Sequence, residues 1–298
     1  MSSRSAATGR HLRKGEQLTG YLFLAPALLI LVGILFLPTV FNLIISLYDW
    51  SLTADTQKFV GLDNFRYMFS DQTTLNSIWL TFKFTVIAVF LEITLGLVLA
   101  LILNSSLPGI RFFRVLCLVP FMLSEVVAAL GWNFMYHAEF GLFNSLLSKL
   151  GLDPVLWLGS QTAFKSLLLV EIWQHTPFVT IILLAGLQSI PTELLEAATV
   201  DGAGFWRTLK EVVLPLLRPH LLTALLFRTI FTMRAFTHPW VLTAGGPANR
   251  TLLLSINIQR TAFRYLDLGL AAAMSWVLFA ISLVIAIFYI RLAKQEGA

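Results

Sequence analysis

The sequence predicts an all-α membrane protein with six transmembrane helices. Of its 298 residues, 57% are hydrophobic and only 12% are charged, whereas a soluble globular chain carries about 25% charged residues. Six apolar runs are each long enough to cross a hydrocarbon core of about 30 Å. Backbone groups in lipid must be satisfied within the segment, and no run alternates with period two, so we expect helices rather than barrel strands.

The apolar runs define one transmembrane domain, expected over residues 20–292 between tails at 1–19 and 293–298. The first run is too long for a signal-peptide core and is followed by no A-x-A pattern, so it is expected to remain as an anchor. The second run is broken only by Glu92, and the sixth carries no charge. The six runs cover about residues 20–47, 84–103, 115–136, 166–187, 220–242 and 268–290.

The distribution of basic residues predicts the orientation. Lysines and arginines are more numerous on the amino-terminal side of the membrane, where they lie in short loops and tails. The positive-inside rule therefore places both termini in the cytoplasm. The net charge of +5 is explained in the same way, because the basic residues form no aromatic-interleaved face. We expect membrane lipids around the chain and no nucleic-acid partner.

The chain lacks the motifs of metal and nucleotide sites and of common enzyme centres. Its single cysteine, Cys117, lies in an apolar run, and its five histidines show no HExxH spacing. The sequence contains no GxxxxGK[ST] phosphate loop, no GxSxG and no paired intramembrane aspartates. We therefore expect no metal, no cofactor and no covalent catalysis on this chain.

The connector between the fourth and fifth runs, residues 188–219, has the apolar spacing of short helices rather than the composition of an irregular loop. An apolar stripe follows Pro191, and Asp201-Gly202 interrupts it. Asp201 is a plausible N-cap for a second short helix over 203–213. The pattern predicts a cytoplasmic helix–turn–helix that docks a partner, and an amphipathic helix on the membrane surface is the alternative.

Within this connector the spacing of several residues resembles the EAA signature of ABC-importer permeases, EAA-x3-G-x9-I-x-LP. Glu196-Ala197-Ala198 is followed after three residues by Gly202, and after nine more by Val212. Leu214-Pro215 completes the match. The only departure is valine for isoleucine at Val212, a loss of one methylene.

Other segments resemble the carbohydrate-uptake branch of that family, the maltose- and glycerol-3-phosphate-type permeases with a MetI-like fold. The resemblance extends over nearly the whole chain, from about Leu18 to Leu292. The segments are the first run with Pro26 and Pro38, and residues 59–65, 187–191, 242–247 and 266–269.

The resemblance implies a complex in the bacterial plasma (inner) membrane. A second homologous permease would share the path, and two ABC ATPase subunits would hold ATP and magnesium. A periplasmic or lipid-anchored binding protein would deliver a sugar, oligosaccharide or sugar derivative. The EAA helix would dock on an ATPase, which gives the coupling residues Glu196, Ala197, Ala198, Asp201, Gly202, Leu214 and Pro215.

Ionisable residues inside the apolar runs suggest a substrate path, since such residues usually face a bundle interior or a cavity. Counting 1.5 Å per residue from the predicted run ends places Glu171 and Arg234 at similar depth. The candidate path residues are Trp173, Gln174, His175, Arg228 and Arg234. A plain interhelical pair between Glu171 and Arg234 is the alternative, and the arginines hint at an anionic or heavily hydroxylated substrate.

Two other classes of protein compete with the importer permease. A secondary transporter or channel working alone explains the helices and buried charges but not the EAA spacing. A membrane-embedded enzyme needs a reactive constellation that the sequence does not contain.

Overall fold

The protein is described by a computed structural model over residues 14–53, 57–105 and 107–294. These residues are mostly helical, which confirms the all-α class. Five helices in the described ranges are long and apolar enough to cross a membrane, and the count reaches six if one bent helix pair forms a single span. The first helix starts at Lys14, inside the predicted tail, whose residues 1–13 lie outside the described ranges, as do residues 295–298.

The helices follow one another with short connections. A two-stranded antiparallel ribbon, β1 (Tyr48–Asp49) and β2 (Lys58–Phe59), lies between the second and third helices. Five-residue π-helical segments, Val32–Phe36 and Leu209–Val213, join α1 to α2 and α10 to α11. The α-helices are α1 Lys14–Leu31, α2 Leu37–Ser46, α3 Asp63–Ser70, α4 Gln72–Leu103, α5 Ile110–Met122, α6 Glu125–Met135, α7 Leu142–Lys149, α8 Ala163–Gln188, α9 Thr192–Val200, α10 Phe205–Thr208, α11 Leu214–Met233, α12 Thr237–Thr243, α13 Leu254–Phe263 and α14 Leu268–Lys294.

The second span begins twelve residues before the predicted 84–103, at Gln72, where Asp71 caps it by accepting from the Thr74 amide at 2.8 Å. The prediction failed because the polar residues before 84 looked like a loop. They pack against α13 instead: Thr81 is buried, and its hydroxyl accepts from the Leu254 amide at 2.7 Å.

The third predicted run, 115–136, is not one continuous helix. Two helices, α5 and α6, meet there at an angle of 92°. Pro120 lies in the last turn of α5, and Leu123 and Ser124 are extended before α6 begins at Glu125. Proline removes a helical hydrogen bond, and a serine before a glutamate favours a helix start, so the local sequence explains the break.

The fifth run is also not the single helix predicted over 220–242. Helix α11 begins six residues earlier, at Leu214, with Pro215 in its first turn. It ends at Met233, and a break at residues 234–236 precedes α12. An interrupted helix at membrane depth exposes unpaired backbone groups, which is tolerated where it lines a cavity.

Helix α8 is the centre of the bundle. Of its apolar membrane-spanning stretch, 61% of the residues are buried, a larger share than in any other candidate span of the described ranges. The fit to α4 is close at Gly96, where an added Cβ would lie 2.6 Å from Cγ1 of Val179. The side chains of α8 are therefore held between α4 and the interrupted helices.

The connector over 188–219 contains the predicted first helix, α9, but a different second half. Asp201 ends α9 rather than capping the next helix, and Gly202 follows at φ +74°. Gly204 precedes α10, which begins at Phe205 and continues through the π-helical segment into α11. The predicted helix over 203–213 is thus the first part of a longer helical rod, which consists of α10, the π-helical segment and α11. Leu214-Pro215 lies within that rod.

Candidate functional site

Four helices contribute one buried polar network. Glu92 comes from α4, Glu171 from α8, Arg228 from α11 and His238 from α12. Each of these residues is at most 2% exposed. The network therefore joins helices that are distant in sequence at one point of the bundle.

Arg228 is the centre of the network. Its Nε donates to Oε2 of Glu92 at 2.6 Å, and its terminal nitrogen donates to Oε1 of Glu92 at 2.9 Å. The same nitrogen donates to Oε1 of Glu171 and to the Thr232 hydroxyl, each at 2.9 Å. A planar guanidinium suits this bidentate arrangement. A buried ion is costly unless it is paired and hydrogen-bonded, and Arg228 meets both conditions.

The contact between Glu171 and His238 requires one proton. The amide nitrogen of Gln174 donates to the Leu123 carbonyl at 3.0 Å, so its oxygen accepts from Nε2 of His238 at 2.7 Å. Nδ1 of His238 then faces Oε2 of Glu171 at 2.7 Å. Either the histidine carries a second proton or the carboxyl does. In both cases the charges of Glu92, Glu171, Arg228 and His238 sum to zero.

His175 lies on the open side of this network. Its Nδ1 is 3.1 Å from the carbonyl of Glu171 and 3.2 Å from its Oε1. Its Nε2 is 3.9 Å from Oε1 of Glu125, beyond hydrogen-bonding distance. A proton on Nδ1 satisfies both contacts.

Glu171, His175 and His238 place potential metal-ligating atoms within 4.8 Å of one another. Zinc binds a histidine nitrogen at about 2.0–2.1 Å and a carboxylate oxygen at about 2.0–2.2 Å. The 2.7 Å between Glu171 and His238 is too short to hold an ion between them without rearrangement. The guanidinium of Arg228 also lies against Glu171, so we assign no metal to this cluster.

A cavity of about 460 Å³ opens beside the network. It lies where the chain turns between α5 and α6 and where α11 is interrupted. Its lining combines benzyl side chains with charged and polar groups. The lining residues are Phe121, Glu125, Glu171, His175, Phe178, Arg228, Phe231, Arg234, Ala235, Phe236, Thr237 and His238.

The five predicted path residues have different surroundings. His175, Arg228 and Arg234 line the cavity. Gln174 is buried behind it, bonded to Leu123 and His238. Trp173 faces an aromatic cluster instead, with its ring centre 5.4 Å from that of Trp132 and a 70° angle between the planes.

The suggested pair between Glu171 and Arg234 is wrong, since Glu171 bonds Arg228. Because α11 starts at Leu214, Arg228 is fourteen residues into it, about 21 Å at 1.5 Å per residue. That is the depth the sequence assigned to Arg234. Arg234 instead caps the end of α11, where it is exposed and has no side-chain partner in the described part of the chain.

Sequence reasoning missed His238, which looked like one of several scattered histidines. Its position ten residues after Arg228 in the same apolar run was a usable signal, because two ionisable residues in one run usually face the same polar interior. Glu92, which interrupts the second apolar run, bonds Arg228 on a neighbouring helix.

Comparison with known proteins assigns nearly the whole chain to one family. Residues 30–295 match the family described as binding-protein-dependent transport system inner membrane component. The trehalose/maltose transport system permease protein MalF of Thermococcus litoralis is 38% identical over 95% of this chain and 96% of its own. The sulfoquinovosyl glycerol transport system permease protein SmoG of Agrobacterium fabrum is 36% identical over 96% and 94%, respectively.

A solved structure has a similar fold. One chain of a bacterial alginate ABC transporter, crystallised with an alginate pentasaccharide-bound periplasmic protein, superposes with a TM-score of 0.84. The match covers 94% of this chain and 96% of that one, at 21% sequence identity.

Proposed function

Because this chain belongs to the family of binding-protein-dependent transport system inner membrane components, we propose that it is the permease subunit of an ATP-driven sugar importer. It would pair with a second homologous permease to form the path. A periplasmic or lipid-anchored binding protein would deliver a sugar, oligosaccharide or sugar derivative from outside. The observation that carries the proposal is the cavity beside the Arg228 network, in a chain whose relatives are named as sugar permeases.

The cavity suits passage of a sugar. Phe121, Phe178, Phe231 and Phe236 offer apolar surface to the carbon–hydrogen faces of a sugar ring. Glu125 and Arg234 offer an acceptor and donors for hydroxyl groups. Binding sites for small molecules commonly combine an apolar lining with a few placed polar groups.

The Arg228 network acts as the frame of this site. It ties α4 and α8 to α11 and α12, and Gln174 extends it to the bend between α5 and α6. Both interrupted helices are therefore fixed to α8. Rigid-body movement of this tied group of helices against the second permease would open or close the path without breaking the frame.

The connector after α8 would transmit ATPase movement to this frame. Glu196 and Ala197 are exposed on α9, while Ala198 is buried. The turn at Asp201-Gly202 leads into the rod that contains Leu214-Pro215 and then Arg228. Docking of α9 on an ATPase subunit would thus act on α11 directly. ATP and magnesium would bind the ATPase subunits, with no cofactor on this chain.

This function places the chain in a bacterial plasma (inner) membrane, as a multi-pass protein with both termini in the cytoplasm. The coupling connector then faces the ATPases, and the loop between α2 and α4 faces outward. Its four aspartates, Asp49, Asp55, Asp63 and Asp71, suit that side.

We expect the purified chain alone to hydrolyse no ATP, because its sequence contains no phosphate-binding loop. Reconstituted with its partner permease, two ATPase subunits and the binding protein, it should support hydrolysis that the sugar-loaded binding protein stimulates. The measurement is phosphate release from proteoliposomes with and without the binding protein.

A complex without this chain is the control, and it should lose the stimulation. Sugar uptake by this chain alone, driven by an ion gradient, would contradict the proposal and favour a secondary transporter.

A further inference from the structure

We infer that the cavity is built for an uncharged saccharide rather than an acidic one, and that Arg234 and Glu125 are its substrate-contacting charged residues. This inference rests on the proposed function and specifies the substrate class of the same site. The five predicted path residues included two arginines, which by themselves suggested an anionic or heavily hydroxylated substrate.

Arg228 contributes no net positive charge to the cavity. Its guanidinium is 2% exposed and bonded to Glu92 and Glu171. The proton between Glu171 and His238 brings the four-residue network to zero charge. An anionic substrate would gain little from a guanidinium that two carboxyl groups already neutralise.

A carboxylate and a guanidinium of the cavity lining are not part of this network. Arg234 and Glu125 line the same cavity and lie outside the neutral network. Arg234 is exposed and has no side-chain partner among the described residues. The Glu125 side chain is 51% exposed, and its Oε1 lies 3.9 Å from Nε2 of His175, beyond hydrogen-bonding distance. These two residues contribute one positive and one negative charge, and His175, the other titratable residue of the lining outside the network, lies against the Glu171 carboxylate at 3.2 Å.

Arg234 and Glu125 offer complementary hydrogen-bonding groups to a sugar. A guanidinium donates to hydroxyl oxygens and a carboxylate accepts from hydroxyl hydrogens, so the two together bind a polyol from both sides. An acidic saccharide would meet the Glu125 carboxylate in the same cavity, and this repulsion would offset its attraction to Arg234. The benzyl groups of Phe231 and Phe236 supply the apolar surface that a sugar ring packs against.

Charged thiol reagents measure this electrostatic balance without reference to which sugar the binding protein selects. Cys117 is the only cysteine of the chain, so Cys117→Ser with Thr237→Cys places one reporter thiol in the cavity lining. The assembled importer in nanodiscs is treated with a cationic trimethylammonium-ethyl or an anionic sulfonatoethyl methanethiosulfonate. Modification of this chain is followed by mass spectrometry, relative to the rates with a free thiol.

We expect the two relative rates to agree within about threefold. Adding Arg234→Gln should favour the cationic reagent by roughly tenfold, and adding Glu125→Gln should favour the anionic reagent by a similar factor. Arg264→Gln, at an exposed arginine that does not line the cavity, is the matched control and should change neither rate.

Two results would overturn the inference. One is a preference of tenfold or more for the anionic reagent with both charged residues present, which would indicate a positive cavity. The other is a thiol at 237 that reacts with neither reagent in any nucleotide state. Failure of the binding protein to stimulate hydrolysis would instead refute the proposed function and leave the measured charge balance unaffected.

Discussion

Replacing Arg228 with methionine is expected to lower the free energy of unfolding of the purified permease by about 3–5 kcal/mol. The Glu92 carboxylate is fully buried and receives two hydrogen bonds from this guanidinium. Without Arg228 it would be left as an uncompensated charge between α4 and α8. Thermal unfolding in detergent, together with the yield of monodisperse protein, measures the loss.

Arg234→Met is the matched control, because Arg234 is exposed and has no side-chain partner in the described part of the chain. It should change stability by less than about 1 kcal/mol. The double variant Arg228→Met/Glu92→Gln should recover much of the loss, because it restores charge balance. If Arg228→Met were no less stable than Arg234→Met, the network would not be the frame that we describe.

Gly202→Val is expected to reduce sugar uptake at least tenfold while the protein stays in the membrane. Gly202 has φ +74°, and a β-branched residue there is strongly disfavoured. The turn between α9 and α10 would have to change, so α9 would no longer present its exposed face to an ATPase. Uptake into vesicles, divided by the amount of permease on an immunoblot, is the measurement.

The same loop supplies a control for the backbone argument. Gly204 also has open space around a built Cβ, but its φ is −74°. Gly204→Val should therefore transport nearly normally. Equal loss of uptake in both variants would mean that side-chain bulk, not backbone conformation, matters in this turn.

Charge tests the docking surface separately from the turn. Glu196→Lys, on the exposed face of α9, should also abolish uptake at normal abundance, because it reverses the charge that α9 would present to the ATPase. Glu139→Lys, at another exposed glutamate in the loop after α6, should not. Normal transport by Glu196→Lys would refute the assignment of α9 as the coupling helix.

Hydropathy predicted where the spans lie because long apolar runs leave a chain few alternatives in lipid. The sixth run, without a charge, matches α14 at its first residue, Leu268. Predictions were worst where polar residues pack against protein, as Thr81 does against Leu254. They were also wrong at helix interruptions, such as the bend after Pro120, because a hydropathy average does not register a change of direction.

The site was less predictable than the spans. The bond between Glu92 and Arg228 joins residues separated by 136 positions, and no local pattern specifies such a pairing. The depth of the arginines was counted from the predicted start of the fifth run at residue 220, whereas α11 begins at Leu214. The count therefore assigned to Arg234 the depth at which Arg228 lies. The lining of the cavity depends on which way each helix faces, and one sequence does not contain that information.

In the proposed function, sugar crosses the membrane through the cavity beside the Arg228 network. The most direct test uses proteoliposomes of the assembled importer carrying Cys117→Ser and Thr237→Cys, and the sugar that screening of the binding protein identifies. Our account predicts that complete modification of this thiol by a bulky methanethiosulfonate reduces ATP-driven uptake at least tenfold. Unchanged uptake after modification verified by mass spectrometry would show that the sugar takes another route.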